Sequence, residues 1–268
     1  MEANLEALDE FFIEDLIETL NEIVHVFNDE AIPYSLDVCE KLADAYQDIM
    51  AQLGQSEDDM ENSKLGNTAN GCISGIFRLI ASIGSQSKEN GKEIISHIEE
   101  KVHDVLYNSL DKRFSDVHES IMTCIGVISF NSDTISSNLW QFFPKIIELV
   151  NHYLNPNTTD YGYISPGIMV MMNYMQKDPT TFVGVQMENG QTPFEAVVGI
   201  ISNIIDLSHV RSDLILHKTG TELVIGLLEN LHGKIDDSIL NIVELMVNEF
   251  GEDTDVSTKK LIIQAVCM

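Results

Sequence analysis

The chain is predicted to be all-α, an α-solenoid of antiparallel helix pairs (a HEAT/armadillo-like superhelix). Three observations predict it. Apolar residues recur at three- and four-residue steps along most of the length, as amphipathic helices require. No segment alternates apolar and polar residues in the manner of a half-buried strand, and no tight-turn dipeptide joins two such runs. Helix pairs open near residues 4, 65, 112, 160, 193 and 235. Most of these intervals fall near about 40–50 residues, the period of HEAT and armadillo repeats. A globular helical bundle is the competing architecture. The organisation expected over 1–268 is a single solenoid of about six helix pairs.

In the first helix Leu5, Leu8, Phe12, Leu16, Leu20, Ile23 and Phe27 form one stripe, and Asn28-Asp29-Glu30 followed by Pro33 ends it. The second carries Leu36, Cys39, Ala43, Tyr46, Met50 and Leu53, closed by Gly54. Residues 54–64, GQSEDDMENSK, are polar and acidic and read as an exposed loop. Helical stripes resume at Leu65–Ile83, Ile95–Val105, Phe114–Ile128 and Leu139–Leu154. The last of these has Ser136 or Ser137 as N-cap and a kink expected at Pro144.

Ile164–Met175 is apolar nearly all round and holds Met169, Met171, Met172 and Met175. These methionines fit a packed core, or an adaptable binding surface. Lys177–Thr192 reads as a loop, because DPTT and ENGQT are turn chemistry. Periodicity returns at Phe194–Ile204, Leu223–Leu231, Ile239–Met246 and Leu261–Val266.

Composition bounds the function. The 268 residues include 43 Asp and Glu against 15 Lys and Arg, a formal net charge of −28. Hydrophobic residues make up 44%, enough for a folding chain and not an acidic disordered tail. The charge argues against direct nucleic-acid binding, where Lys and Arg must neutralise phosphates, and against anionic membrane surfaces. It favours basic partners. Residues 1–62 hold 18 acids and one base, Lys41, so more than half of the net charge lies in under a quarter of the chain. No run of 18 apolar residues occurs, so membrane insertion is not expected. The acidic start MEANLEALDEFF reads as neither a signal peptide nor a mitochondrial presequence.

Catalytic chemistry finds little support, and the chain is expected not to be an enzyme and to need no cofactor. There is no phosphate loop, no HExxH, no GxSxG and no dinucleotide fingerprint. His97 and His103 stand six apart, on different faces of a helix, so they make a poor metal pair. Cys39, Cys72, Cys124 and Cys267 form no CxxC pair, and the first three sit among apolar residues, as buried free thiols do.

The acidic pattern is more informative. Glu6, Glu10, Glu14, Glu18 and Glu22 recur every four residues on the first helix, and Glu40, Asp44 and Asp48 repeat that spacing on the second. Like charges at i,i+4 destabilise a helix by roughly 0.2–0.5 kcal/mol per pair, so the first stripe costs on the order of 1–2 kcal/mol before salt screening. Two readings stand. One is a solvated face. The other is a surface that attracts Lys- and Arg-rich ligands, which would relieve the repulsion. These eight acids are the candidate basic-cargo-binding residues.

Several segments resemble the importin-β (karyopherin-β) nuclear transport receptors, and within them the subgroup of importins seven and eight. IPYSLDVCEKLADAYQDIM (Ile32–Met50) resembles a family repeat's second helix opening on Pro-Tyr. The variable acidic loop SEDDMENSK comes after it (Ser56–Lys64). NTANGCISGIFRLI (Asn67–Ile80) is similar to the family's Thr-Ala-x-Gly helix, with Thr68, Ala69 and Gly71 in place. ISSNLWQFFPKIIELV (Ile135–Val150) resembles its Ser-x-x-Leu/Met-Trp-x-x-x-Pro helix, a match placed on Ser137, Leu139, Trp140 and Pro144.

The motifs cover about residues 1–160. The resemblance implies a superhelix whose second helices line a concave cargo surface. It implies a receptor that carries basic cargo into the nucleus, binds Ran GTPase, contacts Phe-Gly nucleoporins and shuttles between cytoplasm and nucleus. A monomer is expected. The matched segment lies in the C-terminal half of such receptors, whereas their Ran-binding repeats are N-terminal. The chain is therefore expected to be a receptor segment, whether as a fragment, a partial gene product or a divergent short relative, and no Ran-contacting residue maps onto it. A generic HEAT/armadillo scaffold subunit of a larger assembly is the alternative function.

Overall fold

The computed structural model describes residues 34–53, 59–86, 90–155, 161–211 and 214–231, with Thr19, 240–241, 243–244 and Lys260 described only singly or in pairs. Every regular element among them is helical, and the fold is that of an α-solenoid, helix pairs stacked on helix pairs. The chain divides into two compact units, Met1–Asp133 and Thr134–Met268.

In the first unit helix α1 covers 34–52, α2 Asp59–Gln86, α3 Asn90–Ser109 and α4 His118–Asn131, with a 3₁₀ segment at Lys112–Val117. The acidic stretch expected to be a loop as far as Lys64 is helical from Asp59 onward. Residues 54–58 lie outside the described residues.

The helices pack as a ladder. Glu40 on α1 meets Lys101 on α3, and Tyr46 meets Ser109, so α1 and α3 run parallel with α2 between them in sequence. Asn70 on α2 donates to the Asp116 carbonyl at 2.8 Å. A side chain added at Gly84, near the other end of α2, would meet Asn131 at the end of α4, so this pair is parallel too. The core between the rungs is aliphatic: Ile73, Ile76, Ile80, Ile98, Val102, Ile121 and Ile125 are fully buried. Among the polar groups buried with it, the Tyr46 hydroxyl donates to Ser109 Oγ at 2.7 Å and the Ser109 hydroxyl donates to the Val105 carbonyl. Burial pushes the Tyr46 phenol up to about 12.

The second unit contains α5 (Ser137–Tyr153), a 3₁₀ turn at Tyr161–Tyr163, α6 (Ile164–Lys177), α7 (Pro179–Gly184), α8 (Pro193–Arg211) and α9 (Leu214–Asn230). Contacts from Leu139 and Trp140 to Tyr174, and from Tyr153 to Tyr163, make α5 and α6 an antiparallel pair. The pair α8 and α9 stacks on it, α8 beside α5 and α9 beside α6. A pair expected to open near 160 thus differs from the one observed, because α6 is the partner of α5 and is succeeded only by the short α7. Gly226 of α9 lets Met172 and Met175 of α6 approach to 3.5–3.6 Å of where a Cβ would stand. Met171 and Met175 are fully buried, so the methionine run packs the core.

The expected loop over Lys177–Thr192 contains α7, and the reason lies in its turn chemistry. Asp178 caps the helix by accepting the Thr181 N–H at 3.1 Å, and Pro179 occupies the first turn, where its missing N–H costs nothing. Beyond α7 the chain makes a tight turn, with Gly190 at φ 82° and its N–H on the Met187 carbonyl at 2.9 Å. Thr192 and Glu195 then form a reciprocal capping box that starts α8.

In α5 the N-cap is Ser136, whose hydroxyl accepts the Leu139 N–H at 3.0 Å. That serine, and not Ser137, stands three residues before Leu139 as the motif spacing demands. Pro144 lies inside the helix on an exposed position. Trp140 anchors an aromatic cluster with Phe143, Tyr174 and Phe182, at centroid separations of 4.9–5.8 Å.

Candidate acidic binding surface

The eight acids separate into two groups. Glu6, Glu10, Glu14, Glu18 and Glu22 lie outside the described residues. Glu40, Asp44 and Asp48 are on α1, and the register of that helix explains where they stand. Cys39, Ala43 and Tyr46 are buried against the core. The positions one and two residues on from these turn outward, so the Glu40, Asp44 and Asp48 stripe runs along the outer flank of α1. Asp44 and Asp48 are exposed and Glu40 is half-buried.

Glu40 is not a free carboxylate. Lys101 of α3 reaches it with Nζ–Oε1 at 2.9 Å, and both side chains remain about half exposed, at 50% and 47%. The hydrogen bond from Lys101, and then its charge, hold the Glu40 carboxyl below its ordinary value. The same bond raises the Lys101 ammonium, with a smaller contribution from the charge of Asp44. Lys101 therefore sits at the upstream end of the acidic stripe and senses two of its three members.

The parallel neighbour extends the surface. Asp104 stands three residues after Lys101 on α3, one turn further on. It is 88% exposed and accepts a contact from His103 Nδ1 at 3.0 Å. The outer side of α1 thus carries Asp44 and Asp48 together with the exposed Lys41, with Lys101 and Asp104 on the parallel α3. Exposed carboxylates at this spacing can hold Lys or Arg side chains through charge-assisted hydrogen bonds, weakened by salt. Periodicity alone locates Asp44 and Asp48. It cannot locate Lys101 and Asp104, because only the pairing of α1 with α3 brings them to the stripe.

The described cysteines are withdrawn from solvent. Cys39, Cys72 and Cys124 are buried free thiols. Burial pushes Cys39 up to about 12, Cys72 up to about 11 and Cys124 higher still, so none is a nucleophile at neutral pH. Among the described residues no three His, Cys, Asp or Glu side chains converge as metal ligands would, and no helix is long and apolar enough to cross a membrane.

No protein-family model matches the chain. A stretch of 173 residues, 60% of this chain, is 30% identical to the importin beta-like SAD2 homolog of Arabidopsis thaliana and covers 16% of that protein. An alignment over 271 positions, covering 95% of this chain, is 20% identical to the probable importin-7 homolog of Dictyostelium discoideum and covers 24% of it. The chain thus spans a quarter or less of the length of the curated relatives it matches. Among solved structures, the crystal structure of an engineered protein is 15% identical over 92% of this chain and 93% of that one, at a TM-score of 0.32.

Proposed function

We propose that this chain is a helical-repeat segment of an importin-β-type nuclear transport receptor, of the importin seven and eight kind, and that it contributes to protein import by binding basic cargo. The observation that carries the proposal is the similarity to two proteins named as importins, one over 60% and the other over 95% of the chain. The acidic flank of α1 and α3 supports the cargo class. In a chain of net charge −28, its carboxylates would steer Lys- and Arg-rich ligands in and hold them loosely. On this reading the segment works by binding and not by catalysis. Ran GTPase and Phe-Gly nucleoporins would be partners of the receptor as a whole, which would shuttle between cytoplasm and nucleus.

The test is a salt titration of binding to a histone-type basic peptide. Affinity should fall steeply between low and physiological salt, and the Asp44→Lys, Asp48→Lys double variant should bind several-fold more weakly. Salt-independent affinity, or an unaffected double variant, overturns the use of this surface. A pull-down from a cell extract tests the receptor reading separately. Basic proteins and nucleoporins support it, whereas a fixed set of stoichiometric subunits supports a scaffold role.

A further inference from the structure

The dipeptide Asn-Gly occurs three times, at Asn70–Gly71, Asn90–Gly91 and Asn189–Gly190. Glycine after asparagine leaves the next backbone nitrogen without steric cover, so the sequence offers three equivalent places for intramolecular attack on a side-chain amide. The structure makes them unequal. Asn70 lies inside α2, where the next N–H belongs to the helical ladder, and its own amide donates to the Asp116 carbonyl at 2.8 Å. Asn90 is the first residue of α3, and Gly91 is buried in its opening turn. Only Asn189–Gly190 stands outside a helix with both residues exposed.

The local geometry there favours the reaction. Gly190 has φ 82°, and beyond its chain neighbours no atom lies within 4 Å of where its Cβ would be, so the turn is open on that side. The Gln191 N–H donates to Asn189 Oδ1 at 3.1 Å. That bond polarises the side-chain carbonyl and would stabilise negative charge gathering on its oxygen, as an oxyanion donor does. Two contacts must be released first, Gly190 N–H to the Met187 carbonyl at 2.9 Å and Asn189 Nδ2 to Gln191 Oε1 at 3.2 Å. Both are on the surface, where water replaces them at little cost.

We propose that Asn189 is the site at which the folded chain spontaneously deamidates. The Gly190 nitrogen gives its proton to hydroxide and forms a bond to Asn189 Cγ. The Cγ–Nδ2 bond breaks, and the amide nitrogen leaves as ammonia after taking a proton from water. The five-membered imide then adds one water at either carbonyl. It opens to aspartate, or to an isoaspartyl linkage in which the main chain runs through Cγ. No oxidant or reductant enters. Each event adds one negative charge beside Glu188 and removes the amide donor to Gln191, in the connection just ahead of the Thr192–Glu195 capping box.

The experiment is peptide mapping by mass spectrometry of the full chain, incubated at mildly alkaline pH both folded and in urea. In the folded protein the mass gain of an amide-to-acid exchange should accumulate at 189 at least tenfold faster than at 70 or 90. In urea the three should converge. Gly190→Ala should suppress the gain at 189, with unchanged far-UV circular dichroism showing that the helices remain. Equal rates at the three sites in the folded protein, or a folded-state rate at 189 no greater than at 70 and 90, overturns the proposal.

Discussion

Trp140 and Asp178, 38 residues apart, meet through the indole N–H, which donates to the carboxylate at 3.1 Å. The same carboxylate caps α7, so one aspartate joins the start of α5 to the start of a helix further along the chain. Removing the cap with Asp178→Ala should cost about 1–2 kcal/mol. Trp140 is the only tryptophan in the chain. Urea unfolding monitored by its fluorescence therefore reports on the second unit, and an unchanged midpoint would show the bond to be idle.

The pH dependence comes from the same group. Partial burial pushes the Asp178 carboxyl up, but the Thr181 contacts and the Trp140 indole outweigh it, so it lies below its ordinary 3.8. A carboxyl depressed on folding gives stability that is complete above its unfolded value and is lost as pH falls through its folded one. The wild-type second unit should weaken as pH drops below about 4. Asp178→Asn should remove that component, so that the two stability profiles converge toward acid.

Gly84 tests the parallel ladder of the first unit. An added Cβ would overlap the Asn131 amide and come within 3.1 Å of the Asn131 Cβ. Gly84→Ala should destabilise by about 1–3 kcal/mol, although alanine is the better helix former. Trimming the obstacle with Asn131→Ala in the same chain should restore part of the loss. Strict additivity of the two changes, measured by thermal unfolding, would mean that α2 and α4 do not meet there.

The hydroxyl of Tyr46 offers a finer probe. Tyr46→Phe keeps the ring in the core and deletes only the bond to Ser109 at 2.7 Å. The expected cost is about 1 kcal/mol, read as a lower urea midpoint with unchanged slope. No shift would imply that Ser109 satisfies itself through Val105 alone.

Lys101 gives a prediction of opposite sign. It already occupies part of the acidic flank, held by Glu40 and biased by Asp44. Lys101→Met should leave stability almost unchanged, as for exposed ion pairs generally, yet tighten binding of a basic peptide several-fold. Weaker binding would place the ligand elsewhere.

The helices are legible in the sequence because burial obeys their period: Cys39, Ala43 and Tyr46, or Leu139, Phe143 and Ile147, lie inward as their spacing requires. Less legible is the punctuation. Asp178-Pro179 can open a turn or a helix, and the aspartate that caps the helix is also held by Trp140, which no local rule connects to it. The acidic stripe is visible as a pattern, but its charge is not. Lys101 lies 61 residues from Glu40, and only the folded pairing of α1 with α3 shows that one carboxylate is already answered.

That pairing also bears on how the chain acquires its structure. Glu40 meets Lys101 and Tyr46 meets Ser109 at separations of 61 and 63 residues, while Asn70 reaches Asp116 across 46. Each rung closes on a neighbour a repeat or so away and waits for no distant segment. Loop closure over such spans adds little entropy as length grows, and order can begin at any adjacent pair and spread outward. A nascent chain of this kind can bury its apolar stripes as they emerge, leaving at any moment only the newest helix uncovered.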